Sequence, residues 1–259
     1  MKRIKLTIAY DGTNYCGWQI QPNGITIEEV LNKTLKKLTG EDILIIGASR
    51  TDSGVHALGN VAVFDTETTI PPDRIAMALN QRLPEDIVIT KSEEVSPDFH
   101  PRYCDCSKTY EYHIINTRIP VPTKRLTNYF VSYNLDLDKM RKAAGYLVGE
   151  HDFVSFCNVR TDVENTVRTI TALDILKNGD EITIRITGNG FLYNMARAMA
   201  GTVVYAAEGK IKPSEIRSIL DSGNRTAAGP TVPPGGLYMT HLWYDDGIEK
   251  FEVGSDWTE

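Results

Sequence analysis

Apolar and polar residues alternate in several short stretches of the chain, a pattern typical of strands with one buried face. The alternation is clearest after a turn at residues 177–180, where Ile182, Ile184 and Ile186 fall on one face. An Asn-Gly pair in that turn predicts a β-hairpin, and short connections elsewhere favour antiparallel pairing. Other strands are predicted at residues 4–10, 43–47, 60–66, 86–93, 108–115 and 237–244.

Amphipathic helices are predicted between these strands. Thr26 and Glu29 have the spacing of a capping box, and the apolar face behind them ends at Gly40. Residues 191–207 are apolar nearly all round, which predicts a buried helix. Shorter helices are predicted at residues 71–83, 137–147 and 213–220. Strands and helices mix in each half, so we expect an α+β fold with two domains, 1–103 and 104–259.

Composition narrows the class of protein. The 259 residues, 41% apolar and 24% charged, are typical of a globular protein and exclude disorder. No apolar run approaches the roughly 18 residues of a membrane helix, and the N-terminus shows no signal-peptide core. The four cysteines are expected to be free thiols. We therefore expect a soluble, cytoplasmic protein with no membrane partner.

The net charge of −6 does not exclude a nucleic-acid partner, because the negative charge is unevenly distributed. Residues 245–259 contain six acidic residues and one lysine, which leaves the rest of the chain nearly neutral. A neutral body can carry a basic groove. Cations that such a groove would need are spread along the chain: Arg50, Lys108, Arg118, Lys124, Arg125, Arg168 and Arg197.

Motifs for nucleotide and metal cofactors are missing from the sequence. There is no Walker loop, Rossmann fingerprint or His-Glu-x-x-His pair, so we expect neither a cofactor nor a metal. His100, Cys104, Cys106 and His113 lie within fourteen residues, but a Cys-x-Cys spacing is atypical of structural zinc. A metal-dependent hydrolase would rest on this cluster alone.

Asp52 and Arg197 are charged residues within or between apolar segments, where an oppositely charged partner is expected. Arg197 is the only charged residue of the apolar segment 191–207, and a buried guanidinium is costly unless paired. Asp52 lies in a polar loop between two apolar strands. Either residue has a structural explanation: an ion pair or snorkelling for Arg197, and an Asx-turn for Asp52. The functional hypothesis is a catalytic carboxylate held by Arg197.

Tyr110 is a further candidate. It alternates with Tyr112 in a predicted strand, where the pair would either pack on a core or present a platform for a base. His56 has the chemistry of a general base, although a structural role is the simpler interpretation.

The segment Gly47-Ala48-Ser49-Arg50-Thr51-Asp52-Ser53-Gly54-Val55-His56 closely resembles the signature of the TruA family of tRNA pseudouridine synthases. Ser49 and Ser53 depart from its common residues, both by small changes. The resemblance extends over most of the chain in ordered segments, which include Ala9-Tyr10-Asp11-Gly12-Thr13, Phe99-His100-Pro101-Arg102, Lys108-Thr109-Tyr110-Glu111-Tyr112, Val167-Arg168-Thr169-Ile170 and Gly190-Phe191-Leu192-Tyr193-Asn194-Met195-Ala196-Arg197.

This resemblance implies an isomerase that converts uridine to pseudouridine in the anticodon stem-loop of tRNA, at positions 38 to 40. It also implies a homodimer of chains with two α/β domains, largely antiparallel sheets and a catalytic cleft between the domains. By position, Asp52 corresponds to the catalytic aspartate, Tyr110 to the active-site tyrosine, and Arg197 to the basic residue that pairs with the aspartate. Arg50 corresponds to the arginine associated with base flipping.

Two other functions stay open on the sequence alone. A synthase of the same family with a different RNA target would carry the same catalytic residues. An RNA-binding module without catalysis would need none of them, yet Asp52, Tyr110 and Arg197 are all present.

Overall fold

A mixed β-sheet runs through the computed structural model, which describes residues 1–157 and 165–244. The acidic segment 245–259 lies outside the described residues. Within the described ranges the strands are β1 (Lys2–Tyr10), β2 (Ile46–Gly47), β3 (His56–Thr66), β4 (Ile87–Val95), β5 (Cys106–Asn116), β6 (Tyr129–Val131), β7 (Gly149–Asp152), β8 (Val167–Asn178), β9 (Glu181–Gly188) and β10 (Leu237–Tyr244).

Strand order in the sheet is β4-β1-β3-β10-β5-β9-β8-β7, with β2 beside β3 and β6 beside β5. Most neighbours are antiparallel; β10 with β3 and β5 with β6 are the parallel pairs. The last strand, β10, thus lies between β3 of the first half of the chain and β5 of the second. It places the loop before β3 and the side chains of β5 on either side of one strand.

Five helices cover the sheet in the described part of the chain: α1 (Ile27–Thr39), α2 (Ile75–Asn80), α3 (Leu137–Leu147), α4 (Met195–Ala207) and α5 (Ile216–Ser222). Helix α4 is almost wholly buried, as its apolar composition predicted, and it packs against α3 and β5. The mixture of helices with a mostly antiparallel sheet confirms the predicted α+β class.

The predicted hairpin and the predicted ends of α1 are confirmed, except for half of the capping box. Thr26 Oγ1 accepts a hydrogen bond from Glu29 N at 3.3 Å, and Gly40 ends the helix with φ of 78°. The Glu29 carboxylate pairs with Lys33, so only half of the expected capping box is formed. At the hairpin, Asn178 pairs with Glu181 across a two-residue turn in which Gly179 has φ of 57°.

Several predicted boundaries were wrong, each for a local reason. The predicted helix at 191–207 begins only at Met195, because Asn194 takes a left-handed backbone conformation that no helix can include. The predicted helix at 71–83 begins as a 3-10 turn and ends at Asn80, and the one at 213–220 also opens as a 3-10 turn. Of the strand predicted at 43–47, only Ile46–Gly47 is paired, whereas β3 begins four residues before the predicted 60–66.

No helix in the described ranges 1–157 and 165–244 has the length and apolar content needed to cross a membrane.

Candidate active site

The loop between β2 and β3 carries Asp52 and is fixed from both sides. Thr51 O accepts a hydrogen bond from Trp18 N at 3.1 Å, and Thr51 Oγ1 lies 2.8 Å from the hydroxyl of Tyr10. Asp52 O accepts one from Val55 N at 3.1 Å, which closes a tight turn. Gly12 lies directly against this turn, where a Cβ would stand 2.0 Å from Val55 O. The opening segment of the chain therefore fits the loop without space for a side chain.

The Asp52 carboxylate faces Arg197 of α4. Arg197 Nη1 lies 3.3 Å from Asp52 Oδ2, and the two side chains are 14% and 18% exposed. The carboxylate thus has an ion-pair partner rather than the Asx-turn that the sequence also allowed. The pairing that was expected from a lone arginine in an apolar segment is confirmed.

The Arg197 guanidinium is held by two further acceptors. Nε donates to Val232 O at 2.8 Å, and Nη1 donates to Asn194 Oδ1 at 2.8 Å as well as to Asp52. These contacts fix the plane of the guanidinium from the loop after α5 and from the residue before α4. A charged group in this apolar helix is therefore compensated by acceptors on three different segments.

Burial raises the pKa of the Asp52 carboxyl, and the charge and hydrogen bond of Arg197 act in the opposite direction. Removing a carboxylate from water disfavours its charged form, and at Asp52 this effect is larger than the attraction of the guanidinium. Arg197 limits the rise and favours the ionised form.

Tyr110 projects from β5, beside β10 and β9, with Met239 and Ile186 as its cross-strand partners. Its ring is 7% exposed and meets Phe191 edge to face, with ring centroids 4.8 Å apart. Burial, followed by the neighbouring Tyr10 and Asp52, raises the pKa of the Tyr110 hydroxyl. Tyr112 differs from Tyr110: it is fully buried, and its hydroxyl donates to Pro233 O at 2.9 Å.

A cleft of about 800 Å³ brings these elements together. Its walls are the loop before β3, the start of β5, the segment before α4 and the residues after Gly17. Among the residues predicted from the sequence, the cleft is lined by Arg50, Asp52, Lys108, Tyr110 and Arg197. A carboxylate, an aromatic ring and several cations therefore face one space that is large enough for a nucleotide.

Four of the predicted cations are not among the residues that line the cleft: Arg118, Lys124, Arg125 and Arg168. Arg168 is near enough to lower the pKa of Lys108, after burial and Arg102, but it packs over Gly190 outside the residues that line the cleft. Its guanidinium donates to Asn165 O and Val167 O. Lys124 pairs with Glu181 at 2.7 Å and, with Arg125, lines a second cavity of about 480 Å³. Lys124 and Arg125 do not join the cleft.

The cleft also contains residues to which the sequence analysis gave no role. Arg102 donates from Nε to Gly47 O at 2.7 Å and lines the cleft beside Lys108. Tyr193 is 54% exposed in the cleft wall, and Asn194 contacts Arg197. All three lie in segments that carry the family resemblance. The sequence therefore marked these segments as similar to the family, but it did not indicate what these three side chains do.

The other candidate side chains lie elsewhere. His56 is buried, with Nδ1 3.0 Å from Asp11 Oδ1 and its ring stacked on Tyr238, which fits a structural role. His100 stacks on Tyr103, and His113 Nε2 lies 3.3 Å from Glu111. Across the residues that the structure describes, no three His, Cys, Asp or Glu side chains are grouped to hold a metal ion.

Comparisons with known proteins identify relatives over nearly the whole chain. The model of a family described as tRNA pseudouridine synthase matches residues 6–104 and 143–245. A protein named tRNA pseudouridine synthase A from Thermoanaerobacter sp. (strain X514) is 48% identical over 94% of this chain and 100% of its own length. One of the same name from Ruminiclostridium cellulolyticum is also 48% identical, with the same coverage.

A third relative, named tRNA pseudouridine synthase A 2, from Clostridium perfringens, is 47% identical over 94% of this chain and 100% of its own. Among solved structures, a chain of a Cbf5-Nop10-Gar1 complex superposes with a TM-score of 0.37 at 11% identity. That superposition covers 78% of this chain and 44% of the other, a likeness too distant to bear on the site.

Proposed function

The chain belongs to the TruA family of tRNA pseudouridine synthases, enzymes that isomerise uridine to pseudouridine in tRNA, and we propose that Asp52 is its catalytic carboxylate. The observation that carries this proposal is the pairing of Asp52 with Arg197 at 3.3 Å inside a cleft that Tyr110 also lines. A partly buried carboxylate with a shifted pKa, set in a cleft beside a fixed guanidinium, has surroundings typical of a catalytic group.

The reaction requires a group of this kind. The N1–C1′ bond of uridine breaks, a C5–C1′ bond forms, and the proton lost from C5 is balanced by one taken up at N1. A carboxylate stabilises an electron-poor C1′ or attacks it directly, as in glycosidases, or adds to the base. Each of these roles needs the ionised form of Asp52, which the Arg197 charge favours.

The other cleft residues are given roles by their positions. A uridine stacked in a stem must leave the helix before its glycosidic carbon can be reached. Arg50 is exposed and lines the cleft, and we assign it the role in base flipping that the family resemblance implies. Tyr110 offers its ring to the uracil, and its hydroxyl, which burial keeps protonated, relays the C5 proton by giving up its own proton as it takes that one. Lys108 lines the cleft with no carboxylate partner in the described residues, and with nearby Arg168 it supplies charge for RNA phosphates.

The proposed target is the anticodon stem-loop, at positions 38 to 40. We further propose a cytoplasmic homodimer in which each chain has an N-terminal domain, 1–103, and a C-terminal domain, 104–259. The family resemblance supports each of these statements. Sedimentation of the purified protein tests the dimer, and cell fractionation tests the location.

The activity and the target are tested together on tRNA transcripts that carry tritium at C5 of uridine. The wild-type protein is expected to release tritium, and mapping of pseudouridine in the product is expected to place it at positions 38 to 40. Tritium release with the modification elsewhere in the RNA would support a family member with a different target. Tight binding without tritium release would support a binding module and contradict the proposal.

A further inference from the structure

Asn194 combines two unfavourable local features immediately beside the reacting pair. It is the one non-glycine residue with positive φ in ranges 1–157 and 165–244, at φ of 62° and ψ of 4°. A left-handed backbone is disfavoured for residues with a Cβ, although asparagine tolerates it better than most. Glycine would adopt the same conformation without that cost.

The second feature is a missing helix cap. Asn194 occupies the N-cap position of α4, where asparagine normally accepts a hydrogen bond from a backbone N–H of the first turn. Its side chain makes no such bond. The backbone of Asn194 still makes the first hydrogen bond of the helix, since Asn194 O accepts from Ala198 N at 2.9 Å. The amide is therefore directed away from the stabilising contact that this position usually provides.

The amide oxygen instead contacts Arg197. Asn194 Oδ1 accepts from Arg197 Nη1 at 2.8 Å, and the same nitrogen donates to Asp52 Oδ2 at the longer distance of 3.3 Å. Together with the bond from Nε to Val232 O, this contact fixes two edges of the guanidinium. With two of its five N–H groups held in this way, the guanidinium keeps one orientation, which gives the second N–H of Nη1 a fixed direction. That direction is toward the Asp52 carboxylate.

We propose that Asn194 is a positioning residue, whose side-chain oxygen holds the Arg197 guanidinium in place against Asp52 at the expense of local backbone and helix-cap stability. Local strain that persists beside a reactive group is typical of a functional constraint. The preceding residue, Tyr193, lines the same cleft and is 54% exposed. The inference rests on the proposed role of Asp52.

Two substitutions separate this role from a purely structural one. Asn194→Gly removes the amide but accommodates the left-handed backbone, so the loss of the bond to Arg197 is partly offset and its Tm is expected to stay above that of Asn194→Ala. Asn194→Ala removes the same amide but keeps a Cβ in the disfavoured conformation, so its Tm is expected to fall by about 2–4 °C. A structural role predicts that only the alanine variant loses activity.

The positioning role predicts that both variants lose activity together. In the tritium-release assay, kcat is expected to fall by roughly tenfold in each, the effect of losing one charge-assisted hydrogen bond in the transition state. The KM for tRNA is expected to stay within about twofold, since the amide contacts Arg197 rather than RNA. The decline of kcat/KM at low pH, its acid limb, is expected to move to higher pH. A less restrained Arg197 stabilises the ionised form of Asp52 less, so the carboxyl takes up a proton at a higher pH.

The outcomes are distinguishable from failure of the proposed function. An Asn194→Gly variant with wild-type kcat overturns the inference, as does a lowered kcat with an unmoved acid limb or one moved to lower pH. Wild-type protein that forms no pseudouridine, or an Asp52→Asn variant that still does, overturns the proposed function itself. Lowered kcat in both variants, with a higher Tm in the glycine variant than in the alanine variant and an acid limb at higher pH, supports the inference.

Discussion

At Asp52 two opposing effects determine the charge of one side chain. Burial raises the pKa of the carboxyl, and Arg197 at 3.3 Å counteracts the rise. The catalytic form in the proposed mechanism is the carboxylate. As pH falls, activity is therefore expected to decline at a higher pH than an exposed aspartate would give. A pH profile of kcat/KM measures this limb in the free enzyme, and a limb in the range of exposed aspartates would contradict the burial argument.

Protonation of Asp52, which is expected to lower activity, is expected to raise the stability of the fold. A carboxyl whose pKa is raised by folding is favoured in its protonated form, so its contribution to stability grows as pH falls through the folded-state pKa and diminishes above it. Urea unfolding of wild type and Asp52→Asn across this pH window isolates the contribution of Asp52. A difference between the two proteins that stays constant with pH would show that folding does not change this pKa.

Removal of Arg197 is expected to be costly, because it leaves Asp52 half-buried without its counter-charge. Arg197→Met should lower the free energy of unfolding at pH 7 by about 3–5 kcal/mol, the range for breaking a buried pair. The double variant Arg197→Met/Asp52→Asn leaves no unpaired charge and should recover part of the loss. Urea titration measures all three variants. A double variant that loses the full sum of the single losses would show that the two charges do not interact.

Helix α4 carries Arg197, and its placement depends on a close approach at Gly201. A Cβ at Gly201 would lie 1.9 Å from Pro230 O, in the segment whose Val232 O anchors Arg197. Gly201→Ala is therefore expected to destabilise the protein by about 1–3 kcal/mol and to lower kcat by displacing the guanidinium.

A matched control exists in α3. Gly145 is also helical, but nothing lies within 4 Å of a Cβ there, so Gly145→Ala should stabilise by about 0.4–1 kcal/mol. Thermal unfolding and tritium release compare the two variants. Equal effects at both glycines would contradict the packing argument at α4.

The elements themselves were largely predictable from residue patterns, whereas their ends were not. The apolar periodicity predicted α4 as a buried helix, and the lone charge in it predicted a partner for Arg197. The pattern also extended the helix back to Phe191, because periodicity does not register the left-handed backbone at Asn194. In the folded chain the Asn194 side chain contacts Arg197, 3 residues further along, instead of capping the helix.

The whole molecule brings cations to the cleft despite its negative net charge. Arg50, Arg102 and Lys108 line it, and none has a carboxylate partner among the residues described. Affinity for tRNA is therefore expected to fall steeply with salt, by about −0.7 in the log–log slope for each single-stranded phosphate contacted.

The double variant Arg102→Gln/Lys108→Gln tests this expectation. It should bind tRNA more weakly and reduce the magnitude of the slope by roughly 1–2. Lys33→Gln is a suitable control, since Lys33 pairs with Glu29 on α1 and lies outside the cleft lining. Filter binding over a range of salt concentrations gives both slopes. An unchanged slope in the double variant would show that these cations do not contact phosphates.

The order and pairing of the strands in the sheet could not be predicted from residue patterns. The strand at residues 237–244 was predicted as an isolated element, but its position between β3 and β5 depends on partners more than 100 residues away. That insertion places the Asp52 loop and Tyr110 across one strand from each other. The resemblance of separate segments to one family predicted a set of site residues, and the fold brings five of them to one cleft: Arg50, Asp52, Lys108, Tyr110 and Arg197.

The most direct test of the account is turnover by Asp52→Asn on C5-tritiated tRNA, with binding measured on the same RNA. We expect tritium release below about one thousandth of the wild-type rate, while the Kd for tRNA stays within roughly threefold, because the amide keeps the shape of the side chain and loses its charge. The control Asp180→Asn, at an exposed turn between β8 and β9, should retain full activity. Substantial turnover by Asp52→Asn would contradict the assignment of Asp52 as the catalytic carboxylate.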